Sequence, residues 1–281
     1  MCRLAAYCGP SIPLENIVIN PDHSLVVQSQ VAEEAKLAVN GDGFGLAWYD
    51  PSTALRGGSL CTSTLDVPNI QPALYKEVMP AWANPNLLHL CRAISAPVFL
   101  AHVRASTFGG ASYQNCHPFT HGRWSFVHNG QIGGFNILRR QLESLLPDAL
   151  FTERLGITDS ELLFLLMVAN GLQDDPHRAC RAAIRCIRDL HDNHKDKLPP
   201  LRLTFVVTDG ETLYGCRYSS DGKSPTLYAC SDLDHGGVVL ASEPLDGAQY
   251  QWRMVGEGMM LEVNRSGVGE IAPIDDIPLV A

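Results

Sequence analysis

The sequence predicts an α+β domain, a sandwich of mixed strand and helix layers, on three observations. Short apolar runs bounded by Gly, Pro or Asp stand towards both ends of the chain. Stretches with helical spacing of apolar residues fill its middle. The composition, 46% hydrophobic and 18% charged over 281 residues, supplies an ample core. A chain of this size buries about three quarters of its extended surface on folding and needs neither disulfide nor metal to hold together.

Residues 4–7 and Phe44–Tyr49 are short and apolar, and read as strands. Leu87, Leu88, Leu90, Cys91 and Ile94 have helical spacing. Residues 98–103 follow a proline and read as a strand, as do 124–127. Residues 135–146 and 160–170 read as helices. The second carries a start signal, because Thr158-Asp159-Ser160-Glu161 fits a capping box with Thr158 as N-cap and Glu161 reaching back. Asp159 also suits the positive helix end. An amphipathic helix over 178–190 precedes β-type runs at 203–207, 213–218, 227–230, Val238–Ala241 and 260–263. Asp209-Gly210, Asp221-Gly222 and Gly236-Gly237 mark turns between them. Periodicity alone leaves the strand order open.

Several function classes drop out. The net charge is −9 with no block of like charges, which argues against a nucleic-acid partner or an anionic membrane surface. No window approaches the ~18 consecutive apolar residues of a membrane span. The N-terminal residues lack the long apolar core of a secretory signal. Nine cysteines, an odd number without any C-x-x-C pair, argue against a disulfide framework or structural zinc and for a reducing cytoplasm. His191-Asp192-Asn193-His194, the one tight histidine pair, reads as a solvated polar linker rather than a metal site. Asn40-Gly41-Asp42-Gly43-Phe44-Gly45 is glycine-rich but precedes a strand, so it reads as a turn into a strand with close backbone packing, not as a dinucleotide fingerprint.

The residues that could carry chemistry are scattered. Cys2 follows the initiator Met. Removal of Met1 would leave a thiol and a free α-amine on one residue, and an α-amine, with an unperturbed pKa of about 7.7–8.0, can take a thiol proton near neutrality. Alone, a cysteine there is more often structural. Arg104 ends the 98–103 strand beside Ser106 and Thr107, where a guanidinium can grip a carboxylate through two parallel hydrogen bonds. His117, in Asn115-Cys116-His117-Pro118-Phe119, reads first as a satisfied structural histidine. Asn129-Gly130 has two readings: a tight hairpin turn, or an oxyanion hole built from a side-chain amide and a backbone N–H. Asp159 could receive an ammonium, or simply complement a helix end.

Their order narrows the choice. Met1-Cys2, Asp42-Gly43-Phe44-Gly45, His102-Val103-Arg104-Ala105-Ser106-Thr107, Asn115-Cys116-His117-Pro118-Phe119, Val127-His128-Asn129-Gly130 and Thr158-Asp159-Ser160-Glu161 together resemble the class II glutamine amidotransferases, which are N-terminal-nucleophile (Ntn) hydrolases. The likeness is specific to about Asp159 and looser to about Val263, through Leu240-Ala241-Ser242-Glu243-Pro244. It implies a four-layer αββα sandwich of two antiparallel sheets, with residues 1–281 as one such domain. It implies Cys2 as nucleophile with its own α-amine as base, and Asn129 and Gly130 as the oxyanion hole. Arg104, assisted by Thr107, would hold the glutamyl α-carboxylate, and Asp159 the α-ammonium. The position of His117 would be structural, and neither metal nor cofactor is implied. Synthase-linked members often have Gly after the nucleophile; Arg3 here resembles the stand-alone branch, including the γ-glutamyl amidohydrolase of the ergothioneine pathway.

The implied reaction is hydrolysis of a γ-glutamyl amide through a Cys2 thioester, releasing glutamate. The substrate is a small molecule, glutamine or a γ-glutamyl conjugate. Two alternatives stand beside it: a glutaminase subunit delivering ammonia to a separate synthase, and a silent binder of γ-glutamyl metabolites. A homo-oligomer is compatible with each. The stretch from Ser52 to Ala81 is expected to cover the site.

Overall fold

The computed structural model describes residues 2–34, 39–50, 70–106, 110–194, 196–247 and 249–274. Thirteen strands are described: β1 (Arg3–Pro13), β2 (Phe44–Tyr49), β3 (Ala73–Glu77), β4 (Ser95–Val103), β5 (Phe119–His121), β6 (Trp124–Gln131), β7 (Arg202–Thr208), β8 (Leu213–Ser219), β9 (Tyr228–Cys230), β10 (Val238–Ala241), β11 (Arg253–Met254), β12 (Met259–Asn264) and β13 (Gly267–Pro273). The helices are α1 (Glu15–Val18), α2 (Leu25–Gln30), α3 (Pro85–Ala93), α4 (Phe135–Glu143), α5 (Asp148–Glu153), α6 (Asp159–Ala169) and α7 (Pro176–Asp192).

The strands form two antiparallel sheets, ordered β11-β9-β10-β1-β4-β2-β3 and β13-β12-β8-β7-β6-β5. Because strand side chains alternate between faces, β1 serves two cores. Ala5 and Tyr7 join Ile17, Leu25 and Leu87 of α1, α2 and α3 on the outer face. Leu4, Ala6 and Cys8 meet Val127, Val206 and Leu261 of the second sheet. Phe126 and Phe205 turn the other way and pack on Leu138, Phe164 and Ile184 of α4, α6 and α7. Three apolar layers between four layers of secondary structure give the expected αββα sandwich.

Local chemistry sets the helix starts. Asn84 Oδ1 accepts the Asn86 and Leu87 N–H groups ahead of Pro85, and Asp175 Oδ1 accepts the Arg178 N–H ahead of Pro176. Thr158 Oγ1 caps α6 by accepting the Glu161 N–H at 3.2 Å. The other half of the expected capping box is absent: the Glu161 carboxylate instead accepts the Leu155 and Gly156 N–H groups at 2.9 and 2.7 Å. The chain turns sharply before α6, and these amides come within reach before that of Thr158.

Two further expectations are corrected. His191 does not lie in a polar linker; it belongs to the last turn of α7, is buried, and bonds the Pro199 carbonyl through Nε2 at 2.8 Å. Asn129-Gly130 is not a hairpin turn, for both residues lie within β6, opposite Thr204 and Leu203 of β7. The expected close packing at Gly45 is present: a Cβ there would overlap the His117 carbonyl. Residues 51–69, most of the stretch expected to cover the site, fall outside the described residues, whereas 73–77 form β3. No helix among the described residues is long and apolar enough to cross a membrane.

Candidate active site

Four of the residues singled out in the sequence line one small cleft: Cys2, Arg104, Gly130 and Asp159. Each arrives on a different element. Cys2 immediately precedes β1, Arg104 follows β4, Gly130 lies near the end of β6, and Asp159 opens α6. The cleft therefore lies where the two central sheets meet the start of α6. Ser106, His117, His128 and Ser160 complete much of its wall. Thr107 lies outside the described residues, as does Met1.

The Cys2 thiol is held against the backbone of one residue, Ala105. Its Sγ accepts the Ala105 N–H at 3.4 Å and donates to the Ala105 carbonyl at 3.5 Å. Burial pushes the thiol pKa up, outweighing the Ala105 N–H and the nearby Arg104 and Arg3 charges that pull it down. Nucleophilic use of Cys2 therefore requires a base.

Arg104 is buried and tied to its surroundings. Nη1 donates to the Asp42 carbonyl at 3.4 Å and Nη2 to Ser106 Oγ at 3.1 Å. Asp42 fixes the same corner twice more, and Gly43 once. The Asp42 N–H donates to the Arg104 carbonyl at 3.0 Å, its Oδ2 accepts the Ser106 N–H at 2.7 Å, and the neighbouring Gly43 carbonyl accepts the Arg104 N–H at 2.8 Å. This extends the β2–β4 pairing past the ends of both strands and aims the guanidinium.

Asn129 is fully buried on the face of β6 that looks towards the first sheet, and neither Oδ1 nor Nδ2 has a partner among the described residues. Gly130 has no alternative at its position, since a Cβ would overlap the Arg202 carbonyl oxygen and stand 2.7 Å from His128 Nε2. Asp159 is oriented by two backbone groups: Oδ2 accepts the Ile132 N–H at 2.8 Å and Oδ1 the Ser160 N–H at 2.9 Å. Oδ1 also accepts the Ser160 hydroxyl at 3.5 Å, so Oδ2 is the oxygen that keeps a lone pair for a further donor.

Beneath the cleft lies a layer of buried imidazoles. His102 Nε2 donates to the His128 carbonyl at 3.0 Å, and the His102 and His117 rings stack at 4.1 Å. His128 Nδ1 shares a 2.8 Å hydrogen bond with Ser160 Oγ, linking β6 to α6. Burial pushes all three histidines down, His102 to about 3, so they are neutral at physiological pH. No group of three or more His, Cys, Asp or Glu among the described residues is arranged to hold a metal. The eight cysteines among the described residues are free thiols.

Sequence reasoning missed Asp42, Ser106, His128 and Ser160 as parts of this site. Asp42 and His128 sit inside motifs already noted, but their partners are set by tertiary contact, which spacing does not reveal.

Comparison with known proteins agrees with this geometry. Residues 16–221 match the family model of class-II glutamine amidotransferases. The probable glutamine amidotransferase DUG3 of Saccharomyces cerevisiae is 31% identical over 308 aligned positions, covering 95% of this chain and 83% of that protein. The gamma-glutamyl-hercynylcysteine sulfoxide hydrolase of Mycobacterium tuberculosis is 25% identical, with 95% of each chain covered. Among solved structures, a glutamine aminotransferase class-II domain protein from Silicibacter pomeroyi superimposes with a TM-score of 0.72 at 34% identity, over 99% of this chain and 100% of that one. The glutamine phosphoribosylpyrophosphate amidotransferase of B. subtilis shares the fold at 15% identity and a TM-score of 0.56; this chain spans 50% of it. The chain belongs to the class II glutamine amidotransferases, a family of amidohydrolases with the Ntn-hydrolase sandwich.

Proposed function

We propose that the protein hydrolyses a γ-glutamyl amide through a thioester on Cys2. The observation that carries this reading is the convergence of Cys2, Arg104, Gly130 and Asp159, from four separate elements, on one cleft. A thiol, a guanidinium, a close-packed backbone position and a carboxylate answer the parts of a γ-glutamyl group in turn.

Arg104 and Asp159 hold the amino-acid end, the guanidinium taking the α-carboxylate and the carboxylate the α-ammonium. In the chain processed at Met1, the Cys2 α-amine removes the thiol proton, and the thiolate attacks the γ-carbonyl carbon. The C–S bond forms as the carbonyl electrons move to oxygen. That oxyanion is met by the Asn129 side-chain amide and the Gly130 N–H, donors that gain most when charge develops on the oxygen. The tetrahedral intermediate collapses, the C–N bond breaks, and the amine departs with the proton held by the α-ammonium. Water then attacks the thioester, giving up a proton to the α-amine, and glutamate leaves as the thiol re-forms. The neutral histidine layer keeps the β6 and α6 walls in place without adding charge near the ammonium.

The leaving group is drawn from small γ-glutamyl conjugates, in keeping with relatives named for a γ-glutamyl hydrolase and for a glutamine amidotransferase. A panel of γ-glutamyl amides including glutamine, assayed for glutamate release, tests the proposal. Turnover of at least one member by the native chain and none by Cys2→Ala is expected. Undiminished release by a folded Cys2→Ala chain would refute the mechanism.

A further inference from the structure

Behind the nucleophile, on the outer face of β1, lies a buried charge cluster that the reaction above does not use. Arg3 is fully buried, and its Nε lies 3.0 Å from Glu243 Oε1. The pair is an ion contact rather than a hydrogen bond, and none of the three guanidinium nitrogens finds a hydrogen-bond acceptor among the described residues. Glu243 therefore carries the neutralisation of this guanidinium. The Glu243 carboxylate is itself buried and held from several sides. Besides Arg3, Oε1 accepts the Glu34 N–H at 3.0 Å, while Oε2 accepts the Glu33 N–H at 3.0 Å and meets His23 Nε2 at 2.7 Å. Three hydrogen bonds, from His23, Glu33 and Glu34, and the Arg3 ion pair thus converge from three chain segments on two oxygens.

The residue before it grips the same strand. Ser242 Oγ accepts the Leu4 N–H at 3.0 Å, and the Ser242 N–H donates to the Leu4 carbonyl at 3.0 Å. Ser242 and Glu243 thus seize both residues that follow Cys2, one by its backbone and one by its side chain. The far side of Glu243 holds the Glu33 and Glu34 amides, just beyond α2.

We propose that Ser242 and Glu243 form a clasp that sets the position of the Cys2 nucleophile. They are positioning residues, acting through Arg3 and Leu4 on one side and through the Glu33–Glu34 backbone on the other. The proposal rests on Cys2 being the nucleophile. Misplacing a reacting atom by about 1 Å can cost on the order of 10²-fold in rate, without loosening groups that bind elsewhere. Loss of the clasp therefore lowers kcat and leaves KM, governed by Arg104 and Asp159, nearly unchanged.

The test compares four full-length chains in glutamate release and in labelling by a diazo-ketone glutamine analogue. They are native, Ser242→Ala, Glu243→Gln and the double variant Arg3→Met/Glu243→Leu. Ser242→Ala removes a single acceptor. Glu243→Gln leaves the buried guanidinium without its counter-ion. The double variant removes both charges, a change that often restores or raises stability, yet it leaves the Glu33 and Glu34 amides without their acceptor. The expected result is a kcat lower by about 10- to 100-fold in the Glu243 variants, a smaller drop in Ser242→Ala, and an unchanged KM throughout. The double variant should recover its Tm and not its kcat. Recovery of kcat together with Tm would reduce the cluster to a structural role and overturn the clasp. So would native kcat in both Ser242→Ala and Glu243→Gln. A native chain that neither turns over nor labels at Cys2 would overturn the parent reading and the clasp with it. Labelling and turnover in the native chain, unchanged in the variants, would overturn the clasp alone.

Discussion

Replacing Asn129 with leucine separates the chemistry of the site from the stability of the fold. The side chain is fully buried and its two polar atoms have no partner among the described residues, so the native chain bears their desolvation. An unsatisfied buried amide costs about 1–3 kcal/mol. Leucine has a similar volume and no polar atom, so Asn129→Leu should gain roughly 1–2 kcal/mol after some loss to imperfect packing. For 281 residues the unfolding entropy is about 0.6 kcal/mol/K, and the gain amounts to a Tm higher by about 2–3 °C. Catalysis moves the other way. Loss of one oxyanion donor lowers kcat by about 10²–10³, or roughly 2.7–4 kcal/mol at the transition state. Calorimetry and steady-state glutamate release on the same preparation read both quantities. A kcat equal to the native value would refute the oxyanion role. A markedly lower Tm would show that the amide is held by bonds that matter to the fold.

Arg104→Ala should raise KM by about 10- to 100-fold, since charge-assisted hydrogen bonds are worth about 1.5–3 kcal/mol, and an unchanged KM would contradict the carboxylate clamp. Gly130→Ala places a methyl group against the Arg202 carbonyl and His128 Nε2, so β6 must shift; kcat and Tm should both fall, whereas a chain with native kcat would show that this backbone has room. Burial raises the Cys2 pKa, so the thiolate fraction grows with pH throughout the neutral range. Alkylation of Cys2 by iodoacetamide should then climb about tenfold per pH unit from about pH 6 to 8, and a plateau below neutrality would contradict the direction of the shift.

The strands and helices that pack on one apolar face were the legible ones. Phe44–Tyr49 and Val238–Ala241 were read with their observed bounds because every residue in them is apolar or glycine, between breakers. The strand read at 124–127 runs on to Gln131. It was cut short because His128, Asn129 and Gly130 are polar or small; His128 and Gly130 line the cleft, and Asn129 is buried between them. Local pattern fails where a strand gives its end to a site. Strand β3 was missed because it is half-buried along its whole length and ends in Lys76 and Glu77, so no apolar alternation marks it. Helix α4 stops at Glu143, short of the expected 146, where Leu145 and Leu146 turn onto tighter bonds to Leu142 and Glu143.

The site was legible as a set of residue types in order. Cys2, Arg104, Gly130 and Asp159 were named from motifs, and the fold brings them to one cleft. The supports were not legible. The Asp42–Ser106 hydrogen bond, the His128–Ser160 link and the Arg3–Glu243 pair join residues 64, 32 and 240 positions apart, and nothing in a local pattern pairs them.

The intact mass of the purified protein before and after reaction with a diazo-ketone glutamine analogue tests the Cys2 mechanism most directly. The mechanism predicts a chain lacking Met1 that gains a single adduct, mapped to Cys2 by peptide analysis and suppressed by excess glutamine or γ-glutamyl substrate. A chain that keeps Met1 and gains no adduct, or one labelled at another of its nine cysteines, would contradict it.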